Sequence, residues 1–431
     1  MHQRCSGATM SEVASPESAL ADRGQRGRVA EAVAITLTPG LLATIALLSA
    51  VAPFGTDLYL PVFPQVAEEL NASAPAVQLT LTLFMVGMGL GQLCWGPIAD
   101  RYGRRRPLLA AGALFVISSL AAPLAGSIGL LAAARFVQGM TGAVGPVLGR
   151  AIARDLARGK ELARALSILG VISGLAPIAA PVLGGALADV IGWRGILWVL
   201  AGIAVLMLVC SILAVPETLP VDRRRAGGFD DLADSVRRLF GDRQFVGYTL
   251  TQGFGLSILF AFISGSSVVL QNEYGLQPLQ YSLLFALNAV FLTMGGVANG
   301  RLVFRHDPQQ ILAIGLVASL VAAVVAATVT WALGKPPLLL LMMMIAVASA
   351  CNATIMANTT TLGLERHGAH AGMASALMGA VQSAIAGFSA QMVAITGRTT
   401  AVSMTVVMAV SALLAGASYL ILCHRRAATD R

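Results

Sequence analysis

Apolar runs long enough to cross a bilayer recur twelve times along this chain, and no other feature narrows its fold so far. They cover approximately Leu41 to Phe63, Ala76 to Ile98, Pro107 to Gly126, Ile128 to Arg150, Leu162 to Val190 and Trp193 to Val215. After a polar break come Phe245 to Leu270, Leu279 to Leu302, Ile311 to Leu333, Pro337 to Leu362, Ala369 to Thr396 and Thr399 to Leu422. About 20 apolar residues make one span, and a helix satisfies its own backbone N–H and C=O groups where lipid offers no partner. The expected fold is an all-α polytopic membrane protein with twelve transmembrane helices. Only 12% of the residues are charged, against roughly 25% in a soluble domain, so a soluble enzyme or binding module is excluded.

The polar segments set the domain plan. Residues 1–40 read as a disordered cytoplasmic tail, 41–216 as an N-terminal six-helix bundle, 217–244 as a cytoplasmic linker, 245–423 as a C-terminal six-helix bundle and 424–431 as a second cytoplasmic tail. The linker carries Arg223 to Arg225, then Asp230, Asp231 and Asp234, then Arg237 and Arg238, a pattern that suits one short amphipathic helix. Cationic loops stay on the cytoplasmic side of a membrane. With both termini placed there, 25 of the 29 lysines and arginines fall on that side, Arg194, Lys335 and Arg398 on the other, and Arg135 inside a span. The net charge of +8 is thus explained by topology and calls for no nucleic acid. The five cysteines contain no CxxC pair, so neither a disulfide framework, a zinc site nor any other cofactor is expected. The halves echo one another at an offset of 200: Gly96, Asp100, Arg101 and Arg105 correspond to Gly296, Gly300, Arg301 and Arg305. Such an echo fits parallel repeats about an axis along the membrane normal.

Ionisable groups inside a bilayer are costly and mark ion or substrate pathways. Asp57 is the only acidic residue well within a span, and all five histidines lie in tails or loops. If a proton crosses on a side chain, Asp57 is its carrier. Arg135 is the matching cation. Asp57 precedes Phe63 by six residues and Arg135 follows Ile128 by seven, which places them ~9 and ~10.5 Å from the same membrane face, and these depths allow a direct or substrate-gated contact. No intramembrane Ser and His pair, paired Asp, HExxH or GxxxxGK[ST] occurs, so neither an enzyme nor a directly ATP-driven pump is indicated.

The loop after the second span reads GPIADRYGRRRPLL and resembles the signature loop of the major facilitator superfamily. The resemblance makes Gly96, Asp100, Arg101, Gly103, Arg104 and Arg105 a conformational-switch motif. RFVQG at Arg135 to Gly139 is similar to that superfamily's membrane-embedded arginine motif. GLAPIAAPVLGGAL is similar to its antiporter motif and brings in Gly174, Pro177, Pro181, Gly184 and Gly185, with Ala180 standing where the general pattern has Gly. GTDLYLPVFP, APIAAP, GWRGILWVL, PETLP and AFISGSSVVLQNEYGLQP occur in that order. Together they resemble the bicyclomycin and chloramphenicol resistance (Bcr/CflA-like) branch of drug:proton antiporters.

That resemblance implies two six-helix bundles, a monomer, and a cavity lined by the first, fourth, seventh and tenth helices. It nominates Phe54, Tyr59, Gln138, Tyr248, Gln252, Phe260, Asn352 and Asn358 as cavity residues. The expected activity is proton-coupled efflux of small antibiotics of chloramphenicol, florfenicol or bicyclomycin type across the bacterial inner membrane by alternating access. Its partners are a small-molecule drug, protons and the lipid bilayer. The alternative is export of an endogenous metabolite such as a sugar or amino acid.

Overall fold

A computed structural model of the chain describes residues 37–224, 236–365, 367, 371–395 and 399–423. The two tails, the acidic cluster of the linker and Arg398 fall outside these residues, apart from 37–40 at the inner edge of the first tail. All regular structure among the described residues is helical. Among the described residues ten helices are long and apolar enough to cross a membrane. The expected twelve are recovered for two physical reasons. Arg105–Ala121 has 17 residues, the lower limit for a span, and Gly159–Ala214 is two helices joined at Gly192, whose φ of 62° no right-handed helix contains.

In chain order, α1 is Pro39–Glu69, α2 Ala74–Tyr102, α3 Arg105–Ala121 and α4 Ile128–Leu156, with α5 and α6 the arms of Gly159–Ala214 before and after Gly192. Then follow α7 Arg243–Glu273, α8 Pro278–Leu302, α9 Pro308–Leu333, α10 Leu338–Glu365, α11 Ala371–Met392 and α12 Ala401–Leu422. A short helical stretch at 236–241 precedes α7, where the linker sequence suits one. Helix starts are fixed by side chains that accept otherwise orphaned N–H groups. Ser127 accepts from Leu130 at the start of α4, Asp242 from Gln244 at α7, Asp307 from Gln309 at α9 and Thr400 from Ser403 at α12.

Consecutive helices alternate in direction, which gives the molecule two faces. On one, here the terminal face, the ends of α4 and α6 meet the start of α3, and Arg243 at the start of α7 donates to the Ile421 carbonyl of α12 at 2.7 Å. On the far face the end of α1 meets the start of α6 through Glu69 and Trp193. The apolar core differs between them. Toward the far face one cluster joins both sets of six helices, including Tyr59, Phe63 and Phe84 from the first with Phe262, Tyr281 and Phe285 from the second. Toward the terminal face two clusters stay within one set each, while another, built on Phe245, Leu377 and Met378, takes in Leu93 of α2 at its edge. Leu41, Ile45, Phe115, Ile152 and Met207 pack within the first set, and Tyr248, Leu312, Ile355 and Tyr419 within the second.

Trp193 and Trp331 both lie near span ends, where membrane interfaces favour tryptophan, yet their surroundings differ. Trp331 is 76% exposed, as a lipid-facing aromatic at a span end should be, but Trp193 is only 2% exposed and belongs to the core. Its indole donates to Glu69, whose carboxylate also pairs with Arg194.

Candidate functional site

α1 breaks where its carboxylate sits. The helix runs from Val51 to Asp57, gives way to a 3-10 turn at Leu60–Val62 and resumes at Phe63–Glu69. Pro61 and Pro64 cause the break, because neither can donate the N–H that the carbonyl four residues earlier requires. Asp57 is buried, 4% exposed, and is the only acidic side chain so enclosed among the described residues. The Thr56 hydroxyl stands 2.8 Å from Asp57 Oδ1 and 3.0 Å from the Ala52 carbonyl, so its one proton serves either.

Arg135 is fully buried on α4. It does not take Asp57 as its partner. One Nη donates to the Gly55 carbonyl and the other to Gln138 Oε1 at 2.9 Å, while Nε has no partner among the described residues. The guanidinium carbon stands 4.5 Å from the ring centre of Phe84 and 5.0 Å from that of Tyr59, and desolvated contacts of that kind stabilise a cation by ~2 kcal/mol or more. Helical phase explains the separation. Gly55 and Tyr59 are four residues apart and face α4 together, whereas Asp57 lies midway between them and points elsewhere. Arg135 and Asp57 share a depth without sharing a bond.

Gln138 completes this cluster by donating to Ser119 of α3 at 2.9 Å. Gly139 lets α4 touch α2: a Cβ there would fall 1.9 Å from the Phe84 carbonyl oxygen. Gly87 and Gly91 of α2 answer it, with Cβ positions 2.2 Å from the carbonyl oxygens of Phe136 and Met140. This GxxxG spacing is the known signature of close helix approach, and sequence reasoning passed over it.

Of the antiporter-type glycines, Gly184 and Gly185 hold α5 in two contacts. A Cβ at Gly184 would lie 2.3 Å from the Leu58 carbonyl oxygen of α1, and one at Gly185 would lie 2.2 Å from Ser282 Oγ of α8. Gly174 has open space around it. Pro177 is partly exposed and Pro181 buried within the same helix.

The loop motif forms a charged knot on the terminal face. Arg104 binds Asp100 at 2.6 Å and Asp155 of α4 at 3.0 Å. Burial pulls on the Arg104 guanidinium in the opposite sense, but hydrogen bonds to Asp155 and Asp100 prevail and hold it above its usual range. Glu217 accepts from the backbone N–H of Arg104 at 2.7 Å and of Arg105 at 3.3 Å. It thereby supplies the negative charge that the arginine-rich start of α3 lacks. Gly103, at φ 90°, makes the room, since a Cβ there would stand 2.3 Å from Glu217 Oε2. Thr218 donates to Asp155 at 3.1 Å. Gly96 has open space around it, and Arg101 lies over its neighbour Tyr102. Glu217 and Thr218 belong to the PETLP segment, whose place in this knot its sequence position did not reveal.

The remaining cavity candidates divide. Tyr248 lies in the core of the second set, and Phe260, 8% exposed, in the shared far-face core. Asn352 donates to the Gly255 carbonyl of α7, and Asn358 to Asn299 of α8 at 2.6 Å. Gln252 donates to Gln382 of α11 at 2.7 Å, with Thr360 of α10 beside it at 3.4 Å. Gln382 is a polar neighbour that sequence reasoning missed. Phe54 is half-buried. A hollow of about 800 Å³ opens on the far face between Gln65, Glu68, Glu69, Asp189, Trp193 and Arg194 and holds neither Asp57 nor Arg135.

Comparison with known proteins agrees with this geometry. The family model of the Major Facilitator Superfamily matches residues 45–391. The chain is 37% identical over 398 residues to the uncharacterized MFS-type transporter YdgK of Bacillus subtilis, covering 92% of this chain and 97% of that protein. It is 30% identical over 383 residues to the bicyclomycin resistance protein homolog of Haemophilus influenzae, covering 89% and 96%. In fold it is similar to a bacterial homolog of the human lysosomal transporter Spinster, with a TM-score of 0.68 at 16% identity over 89% of this chain and 96% of that one. A twelve-span helical body with close glycine seams, a broken first helix and these relatives is a transporter and not an enzyme: the chain belongs to the Major Facilitator Superfamily, on the branch that holds the bicyclomycin resistance proteins.

Proposed function

We propose that this protein exports small, uncharged or cationic amphipathic antibiotics of amphenicol or bicyclomycin type from a bacterial cell in exchange for protons. The observation that carries the proposal is Asp57, a buried carboxylate at a helix break that pairs with no cation among the described residues. An ionised carboxylate in that setting is costly, and a proton removes the charge. The name of the Haemophilus relative supports a drug as cargo.

In this reading the terminal face is cytoplasmic and both chain ends lie inside, as the lysine and arginine distribution requires. The bundles at 41–216 and 245–423 rock about one another, and the protein works as a monomer in the inner membrane. Opening to the far face admits a proton to Asp57. Opening to the terminal face releases it and admits the drug, so proton entry drives drug exit. Arg135 sets the local field from its place between Tyr59 and Phe84. Phe54, Gln252 and Gln382 supply apolar and amide contacts to the cargo, in keeping with cavities that are apolar with few polar groups.

The test is drug-dependent proton release from purified protein in vesicles, with chloramphenicol, florfenicol, bicyclomycin and a lipophilic cation compared. Release with at least one of them, lost in Asp57→Asn, is the expected result. Undiminished release in Asp57→Asn removes that residue from the coupling role. Silence with all four, together with growth sensitivity to a sugar or amino acid in a knockout strain, replaces the drug by a metabolite.

A further inference from the structure

We propose that Ser267 and Gln271 of α7 are positioning residues of the exchange, which clasp two backbone carbonyls just beyond Asp57 and so close the far face over that carboxylate. Pro64 has no N–H for the Leu60 carbonyl. That carbonyl instead takes the Phe63 N–H in a 3-10 turn and the Ser267 hydroxyl at 2.6 Å. Gln271 Nε2 donates to the next carbonyl, Pro61, at 3.0 Å and to Ser267 Oγ at 2.9 Å. Four residues apart, the two side chains rise from one face of α7, and Ser267 is fully buried.

Both helices leave α geometry at this contact. α1 is a 3-10 turn over Leu60–Val62 and α7 a π-helix over Val269–Glu273, and irregular turns inside helices gather at functional hinges. From the other side the Leu58 carbonyl rests on Gly184 of α5. Residues 58–62 are therefore held between a helix of each set, with Asp57 at their leading end. Within a membrane a carbonyl that loses its donor must find another. Parting α1 from α7 strips donors from Leu60 and Pro61, and water that enters to replace them arrives one turn from Asp57. Opening the far face and wetting the carboxylate are then one event.

The proton role of Asp57 rests on the function proposed above; the clasp does not. Its test uses the full chain with all five native cysteines replaced by serine and a single reporter, Ser282→Cys, at the fully buried position that packs against Gly185. A membrane-impermeant maleimide is added from the far face, without drug or proton gradient. Ser267→Ala and Gln271→Leu are each expected to raise the labelling rate about fivefold, the equilibrium shift of one net hydrogen bond. Ser267→Thr, which keeps the hydroxyl, is expected to restore the parent rate. An unchanged rate in both Ser267→Ala and Gln271→Leu overturns the clasp, and so does a rise in Ser267→Thr equal to that in Ser267→Ala. Should Ser267→Ala fail to reach the membrane, Gln271→Leu decides alone. Because this readout needs no cargo, the clasp stands or falls separately from antiport.

Discussion

The first and second sets of six helices bind their own members by one device with different electrostatic content. In the first, α4 reaches α1 through Arg135, which donates to the Gly55 carbonyl; in the second, α10 reaches α7 through Asn352, which donates to the Gly255 carbonyl. The two glycines are 200 residues apart, the same offset that relates Gly96 to Gly296. The contrast extends outward. On the terminal face the first set is knotted by Arg104 with Asp100 and Asp155, whereas deep in the second set α8 is joined to α10 by Asn299 and Asn358. A neutral amide is therefore sufficient to hold a first helix to a fourth. Burying a guanidinium for the same purpose incurs a desolvation penalty of several kcal/mol, so the charge at Arg135 does something that fastening does not require.

Breaking the comparison at its charged end gives the largest expected effect. Arg135→Ala should lower drug-dependent proton release to the level of empty vesicles while the protein still inserts, and Arg135→Lys should recover part of it. Lysine keeps the charge but not the planar fork that spans Gly55 and Gln138. Full activity in Arg135→Ala would reduce the residue to a fastener. At the neutral end, Asn352→Ala should leave proton release per molecule intact and cost about 0.5–1.5 kcal/mol of stability through the lost hydrogen bond to the Gly255 carbonyl, which keeps its donor within the helix. Thermal unfolding and proton release measured on the same preparation separate the outcomes. Loss of coupling without loss of stability in Asn352→Ala would show that both sets carry the mechanism.

Much of this arrangement was legible in the sequence, for physical reasons that also mark where legibility ends. Span length follows from bilayer thickness, so eleven spans emerge as continuous helical runs near their expected positions and the twelfth needs only the positive φ of Gly192. Depth follows from helix rise, and Arg135 does meet α1 within two residues of Asp57. Helical phase was within reach as well: Gly55 and Tyr59 share a face that excludes Asp57. Which face of α1 turns toward α4, however, is settled by packing that no local pattern encodes. In the run Met342 to Met344 the alternation follows from helix geometry alone, since three consecutive residues cannot share one face. Met343 is 60% exposed while its neighbours are buried. Partners distant in sequence stayed hidden. Glu217 reaches Arg104 across 113 positions and Gln382 reaches Gln252 across 130, and nothing in a single chain announces such pairs.

The smallest expected effect sharpens the comparison at the loops. Arg305 of the second set corresponds to Arg105 at the offset of 200, yet neither Arg301 nor Arg305 makes an ion pair among the described residues, and both are exposed. An exposed arginine free of such contacts can be truncated within about 0.5 kcal/mol, so Arg305→Ala should leave thermal unfolding and transport near the parent values. Arg104→Ala should not, because it takes the cation from Asp155, which is only 20% exposed, and releases Asp100. A loss of about 1–3 kcal/mol, with slower transport, is expected there. If the two substitutions prove equally mild, the charged knot of the first set is a positive-inside turn like its counterpart. If they prove equally severe, Arg305 takes a partner in some other conformation of the cycle, and the two loops would then act alternately where the static contacts distinguish them.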